Sequence, residues 1–205
     1  LLITHGSISN ECVCYKLAKY LTKIVKKWID QDKILPSEII FLQRRSSFKS
    51  SFGINLIYCY IEHMLISNNI DCTWYSKDDI SETFQSINIT DVTLSSIAFS
   101  KGGGWKCVIL LNCTNGSLPL LFNDNHQIAL STYNVAITRA KVNLIITTNR
   151  YAPSPFIEKG LSYMDIYDID QIPINLFSSN DYQINNQKSS ILKNISNVTN
   201  LSEEL

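Results

Sequence analysis

What this chain lacks narrows its possible roles. No Gly-Lys dipeptide occurs in its 205 residues. A phosphate-cradling P-loop needs Gly-Lys-Ser/Thr in that order, so the loop itself is excluded. There is no charge excess: 18 Lys and Arg balance 18 Asp and Glu. The basic surplus that usually marks a phosphate-binding protein is therefore missing, although a neutral chain can still bind nucleic acid locally. No apolar run is long enough to cross a bilayer, so no membrane partner is expected. Leu1-Leu2-Ile3-Thr4-His5 has no basic region ahead of an apolar one, so no secretory leader is read. The chain opens on Leu rather than Met, which we read as trimming or as polypeptide lying upstream. None of Cys12, Cys14, Cys59, Cys72, Cys107 and Cys113 forms a C-x-x-C pair. Zinc ligation is not expected, and the thiols read as reduced, buried groups of an intracellular protein, cytoplasmic or nuclear. His5, His63 and His126 are too far apart for ligand spacing, and no metal site is expected.

What is present alternates. Ser9 to Lys33 carries Leu17, Leu21, Ile24, Val25, Trp28 and Ile29 at helical spacing. Lys16, Lys19, Lys23, Lys26 and Lys27 occupy the other face, read as solvated before phosphate-contacting. Ile34 to Ser37 breaks that helix, and Glu38 to Leu42 is the continuous apolar run of a strand buried on both faces. Helix is read over Ser50–Ser67 and Ile128–Lys141. Strands are read over Ile70–Tyr75, Asp91–Phe99, Cys107–Asn112 and Val142–Thr148. This order predicts an α/β layered domain with a largely parallel sheet over 1–177. From Ser178 the composition shifts to Ser, Asn and Gln, predicting a poorly ordered or weakly helical tail over 178–205.

Three constellations can carry chemistry. Lys101-Gly102-Gly103-Gly104-Trp105 lies between two strands, and its glycines permit positive φ and close approach of a ligand; a flexible turn is the plainer reading. In Asn134-Val135-Ala136-Ile137-Thr138-Arg139-Ala140-Lys141, Ala136 and Ala140 would give a helix a flat packing face. Arg139 would then project elsewhere, toward phosphate oxygens or simply into solvent. Gln43-Arg44-Arg45 follows the buried strand, and Arg44 is a candidate phosphate contact.

Together these segments resemble the C-terminal part of superfamily 1 helicases of the UvrD/Rep type. Val92-Thr93-Leu94-Ser95-Ser96-Ile97-Ala98-Phe99-Ser100-Lys101-Gly102-Gly103-Gly104-Trp105, followed by Cys107-Val108-Ile109-Leu110, is similar to motif V. Asn115-Gly116-Ser117-Leu118-Pro119 matches the G-x-x-P that usually follows, and Tyr133 to Lys141 is similar to motif VI. Ser9-Asn10-Glu11 leading to Pro36–Leu42 resembles the opening of the second RecA-like domain.

The resemblance implies a three-layer RecA-like fold without its P-loop, acting as the second motor lobe of an ATP-dependent, 3′-to-5′ DNA helicase. Its partners would be single-stranded DNA or a duplex junction and an N-terminal ATPase lobe. That lobe would hold ATP and Mg²⁺. Arg139 would be the arginine finger, with Lys101, Gly102, Gly103 and Gly104 near the nucleotide. Ser96 would contact the DNA backbone, with Thr138 and Arg44 also on the nucleic-acid path. Two positions depart from the pattern: Ala98 stands where the family usually has His, and Gly104 where it has a Glu that contacts the nucleotide sugar. These changes motivate a non-catalytic scaffolding lobe as the alternative, and Asn134 motivates an RNA helicase of the Upf branch. Asp78-Asp79 follows no apolar strand and is a poor Walker B candidate, so the chain alone is expected to be inactive.

Overall fold

The computed structural model describes residues 1–6, 11–44, 49–50, 53–54, 56–75, 90–118 and 125–171. Leu1–Asp170 forms one compact unit. The domain boundary expected at 177 and the tail beyond it lie outside the described residues, as do Asp78, Asp79, Arg45 and Pro119.

Among the described residues seven strands make one sheet: β1 (Leu2–His5), β2 (Ile39–Gln43), β5 (Cys72–Tyr75), β6 (Val92–Ser96), β7 (Trp105–Leu110), β8 (Ala140–Asn149) and β9 (Ile166–Asp168). Their order is β5-β6-β2-β7-β8-β1-β9, and every pairing is parallel. A separate two-residue hairpin, β3 (Lys49–Ser50) and β4 (Gly53–Ile54), precedes the second helix. A parallel sheet needs cover on both faces, which explains why β2 reads as unbroken hydrophobe. Ile39, Ile40, Phe41 and Leu42 are all fully buried. Each such side chain contributes about 1.5–3 kcal/mol relative to exposure.

Among the described residues three α-helices supply the cover: α1 (Glu11–Asp30), α2 (Leu56–Ile66) and α3 (His126–Ile137). The chain moves leftward across the sheet from β1 through α1 to β2, and again through α2 to β5. From β6 to β7 and through α3 to β8 it moves rightward. Right-handed crossovers then place α1 and α2 on one face and α3 on the other. In agreement, α1 packs on α2, while α3 packs on β7 and β8. This is the three-layer α/β, RecA-like arrangement. Tyr58 of α2 locks one layer to the sheet: fully buried, its hydroxyl lies 2.7 Å from the Ser95 carbonyl and 3.1 Å from that of Phe41.

The structure corrects several sequence expectations. β1 and β9 are absent from the sequence reading. The second helix starts at Leu56 rather than Ser50, and the hairpin takes the stretch containing Gly53, a residue that costs about 1 kcal/mol inside a helix. The strand expected to reach Phe99 stops at Ser96, where the hydroxyl accepts the Phe99 N–H and turns the chain. The third helix begins at His126, capped by the Asn125 side chain on the Gln127 N–H, and ends at Ile137. Thr138 and Arg139 form a turn, and Ala140 opens β8. Ala136 and Ala140 therefore do not share a helix face. Cys12 is exposed, contrary to the expectation of uniformly buried thiols, although all six cysteines are free.

Candidate functional site

The expected site residues fall into two groups, at opposite ends of the sheet. At the carboxyl ends of β2 and β6, Gln43 and Ser96 are register partners, and Arg44 follows directly. Chain direction reverses between β2, whose connection leads left, and β7, whose connection leads right. Such reversals open the crevice in which α/β sheets usually bind ligands. Arg44 spans it: its Nη1 donates to the Ser117 carbonyl, beyond β7, at 3.2 Å. Gly116 beside that carbonyl adopts φ 96°, a left-handed geometry suited to glycine. Ser96 is buried at 7% exposure, and its Oγ accepts the Phe99 N–H at 3.2 Å. Tyr75 at the end of β5 stacks on Phe99, with centroids 6.0 Å apart and planes within 9°. Sequence reasoning did not single out this aromatic pair. Its signal, an aromatic ending β5 and another in the turn that follows the adjacent β6, needs the sheet order to be read.

At the amino ends of β7 and β8 the second group assembles. Trp105 is the register partner of Ala140, and its N–H donates to the Arg139 carbonyl at 2.9 Å. The half-buried Arg139 side chain is held by two backbone carbonyls: Nε donates to Val135 at 3.0 Å and Nη1 to Gly103 at 2.7 Å. The other Nη1 hydrogen and both on Nη2 have no partner among the described residues. Thr138 is exposed, but its hydroxyl turns back to the Asn134 and Val135 carbonyls at 2.7 and 3.1 Å. It serves as a helix terminator in this conformation.

The eight residues between Ser96 and Trp105 join the two ends. They pass β2 on the face that α3 covers. Lys101, Gly102 and Gly104 are exposed, and Gly102 has φ 87°. Ile97, Ala98 and Lys101 face Gln127, Ile128, Ser131, Thr132 and Val135 of α3 across a groove of about 320 Å³. Ala98, exposed in that groove, leaves space where the resembled family carries an imidazole. A Cβ on Gly104 would lie 3.0 Å from Lys141 Cε, the yielding part of a flexible chain. At Gly103 a Cβ would instead collide with the Trp105 ring. The glycine run thus has two different reasons, and at Gly103 the close neighbour is the chain's own indole rather than space for a ligand.

The amino-end corner is basic. Lys106 pairs with Glu38 at 2.9 Å, and the hydrogen bond from Lys106 holds the Glu38 carboxyl below the usual carboxylate range, Lys141 adding a smaller attraction. Lys101 and Lys141 make no salt bridge among the described residues. No group of three or more metal-ligating side chains occurs among the described residues. No helix among them is long and apolar enough to cross a membrane.

A third polar cluster lies at the carboxyl ends of β1, β8 and β9. His5 is fully buried, and its Nδ1 donates to the Gly6 carbonyl at 2.6 Å. Burial, the largest effect, holds its pKa below the usual histidine value, and Arg150 adds to the depression. Arg150 bridges Asp168 and Asp170, tying β9 to the sheet. Burial raises the Cys113 thiol, below α3, to about 12, so it stays protonated.

Residues 75–151 match the family model for the UvrD-like helicase C-terminal domain. That stretch runs from the last residue of β5 to just past β8. It includes both motifs, the crossover and all of α3, so the resemblance read from the residues has independent support over this segment. Among solved structures, the chain is similar to the C-terminal domain of a possible DNA helicase from Lactobacillus plantarum WCFS1, at 11% identity. The alignment covers 82% of this chain and 83% of that one, with a TM-score of 0.49. No curated protein matches the chain.

Proposed function

We propose that this chain is the second motor lobe of an ATP-dependent DNA helicase, and that Arg139 is its arginine finger. The observation that carries this reading is the state of the Arg139 guanidinium. It sits on a turn, fixed by two backbone carbonyls, with its remaining N–H donors uncommitted among the described residues. An arginine fixed on one edge and open on another suits bidentate contact with phosphate oxygens. ATP and Mg²⁺ would be held mainly by a partner lobe. Lobe closure would bring the γ-phosphate to Arg139 while Lys101 and Lys141 add positive potential. The exposed backbone of Gly102 and Gly104 would lie near the nucleotide. At the other end Ser96 and Arg44 would make the path of single-stranded DNA, and closure would step the lobe along it, 3′ to 5′; Thr138 lies beside Arg139 at the amino end, its hydroxyl engaged by the Asn134 and Val135 carbonyls. An intracellular location goes with this reading.

The test is ATP turnover by the complete polypeptide carrying this chain, with and without single-stranded DNA. An arginine finger is worth about 10³–10⁵ in rate in phosphoryl-transfer systems. Unchanged stimulated turnover in Arg139→Ala would refute the assignment. A second reading, a non-catalytic scaffolding lobe, is favoured by Ala98 and Gly104: neither an imidazole at 98 nor a carboxylate at 104 is present. Single-strand binding without DNA-stimulated turnover would select it. Comparing DNA with RNA duplexes separates the Upf-type reading suggested by Asn134.

A further inference from the structure

We infer that Gly103 and Trp105 form a positioning device that aims the Arg139 guanidinium, an inference that rests on the finger reading above. The contacts close on themselves. The Gly103 carbonyl accepts from Arg139 Nη1 at 2.7 Å. The Arg139 carbonyl accepts the Trp105 N–H at 2.9 Å. The Trp105 indole then folds back over Gly103, so that a Cβ there would stand 2.6 Å from ring atom Cζ3 and closer still to Cη2. Real Cβ contacts do not occur at such distances, and the ring has little freedom to yield. Trp105 is 4% exposed and belongs to the core cluster that includes Tyr133 and Ala136 of α3. Interiors packed at this density transmit a displacement rather than absorb it. Any side chain at 103 must therefore move either the indole, whose own backbone N–H holds the Arg139 carbonyl, or the Gly103 carbonyl that holds the guanidinium.

The rest of the turn fixes where that carbonyl sits. The Gly103 N–H donates to the Ser100 carbonyl at 3.1 Å, and Gly102 supplies the left-handed φ that brings the chain round. Val135 provides the second anchor, on Arg139 Nε, from the last turn of α3. A long side chain is thus pinned at two atoms by two different elements. Gly103 and Trp105 touch no nucleotide in this scheme; they act through Arg139.

The complete polypeptide is assayed as three variants: Gly103→Ala, Gly103→Ala with Trp105→Leu, and Arg139→Ala as reference. Misplacing a catalytic group by about 1 Å can cost on the order of a hundredfold. Gly103→Ala is expected to lower kcat for ATP by roughly ten- to a hundredfold with little change in KM. The double variant, which replaces the colliding ring with a smaller group, is expected to recover most of the loss. A second measurement does not depend on turnover: the Arg139 Nε–H signal in a ¹H–¹⁵N spectrum should exchange faster in Gly103→Ala and slow again in the double variant. If Gly103→Ala fails to fold, regained folding and turnover in the double variant carry the same information. The inference is overturned if Gly103→Ala matches the parent in kcat and in Nε–H exchange, or if the double variant stays as impaired as Gly103→Ala. Parent-like turnover in Arg139→Ala would instead remove the finger reading, while the exchange data still report on the tether.

Discussion

The two ends of the Ser96–Trp105 crossover are built from different materials. The carboxyl end consists of side-chain hydroxyls, an aromatic pair and Arg44, packed into strand ends. Ser96 there is almost completely buried and partnered by its own turn. The amino end consists of backbone carbonyls holding one arginine, with Lys101 and Lys141 beside it and glycines that keep side chains away. The first end is stabilised by burial; the second is stabilised by hydrogen-bond geometry and stays open to a ligand. A short segment that meets such different demands at its termini explains why its composition changes so abruptly, from Ser and Ile to three glycines.

If the ends do different jobs, they should fail separately. Arg139→Ala should give the largest effect, a fall of roughly a thousandfold or more in DNA-stimulated ATP turnover, with single-strand affinity unchanged. A parallel loss of affinity would break the comparison. Next, Tyr58→Phe removes the donor that the Ser95 carbonyl meets inside the core. It should destabilise the fold by about 1–3 kcal/mol, read from a shifted urea midpoint, and leave Arg139 chemistry intact.

A smaller effect concerns the buried His5. Its folded pKa lies below its unfolded value of 6.5, so the unfolded chain takes up the proton more readily. Stability from this group is complete above pH 6.5 and declines as pH falls below it. Urea midpoints at pH 8 and pH 5.5 should differ in that direction, and His5→Gln should reduce the difference. Ser96→Ala should weaken single-strand binding severalfold, since a lost hydrogen bond is worth about 0.5–1.5 kcal/mol, while the KM for ATP stays unchanged. Smallest is Gly104→Glu, whose Cβ meets the flexible end of Lys141 at 3.0 Å and reaches the Arg139 carbonyl only at 3.9 Å, an ordinary contact. Its melting temperature should remain close to the parent's, within about 0.5 kcal/mol of stability, which would confirm that Gly103 and Gly104 are glycines for different reasons.

Much of this was legible in the residues. β2 was visible because burial on both faces demands an unbroken apolar run, and α1 because its apolar positions recur at helical spacing. β1 was not visible: four residues carry no period, and their partner strand lies more than a hundred residues away. β9 sits at the sheet edge with Ile166 and Tyr167 half exposed, so its pattern resembles a loop. Motif spacing singled out Arg139 as a candidate but placed it on a helix. The strand register of Trp105 with Ala140, a tertiary fact, puts it on a turn. The same limit hid the indole over Gly103, since nothing in Gly-Gly-Gly-Trp states which way the ring folds.

The crossover also stores length. Its eight residues are coiled rather than taut, and two backbone hydrogen bonds, Ser100 to Ser96 and Gly103 to Ser100, hold the slack. Two more bonds through serine hydroxyls close the same turn, Phe99 N–H to Ser96 Oγ and Ser100 Oγ–H to the Ile97 carbonyl. The sheet register fixes where the arginine corner and the serine end sit, and the coiled segment between them carries more chain than the span needs.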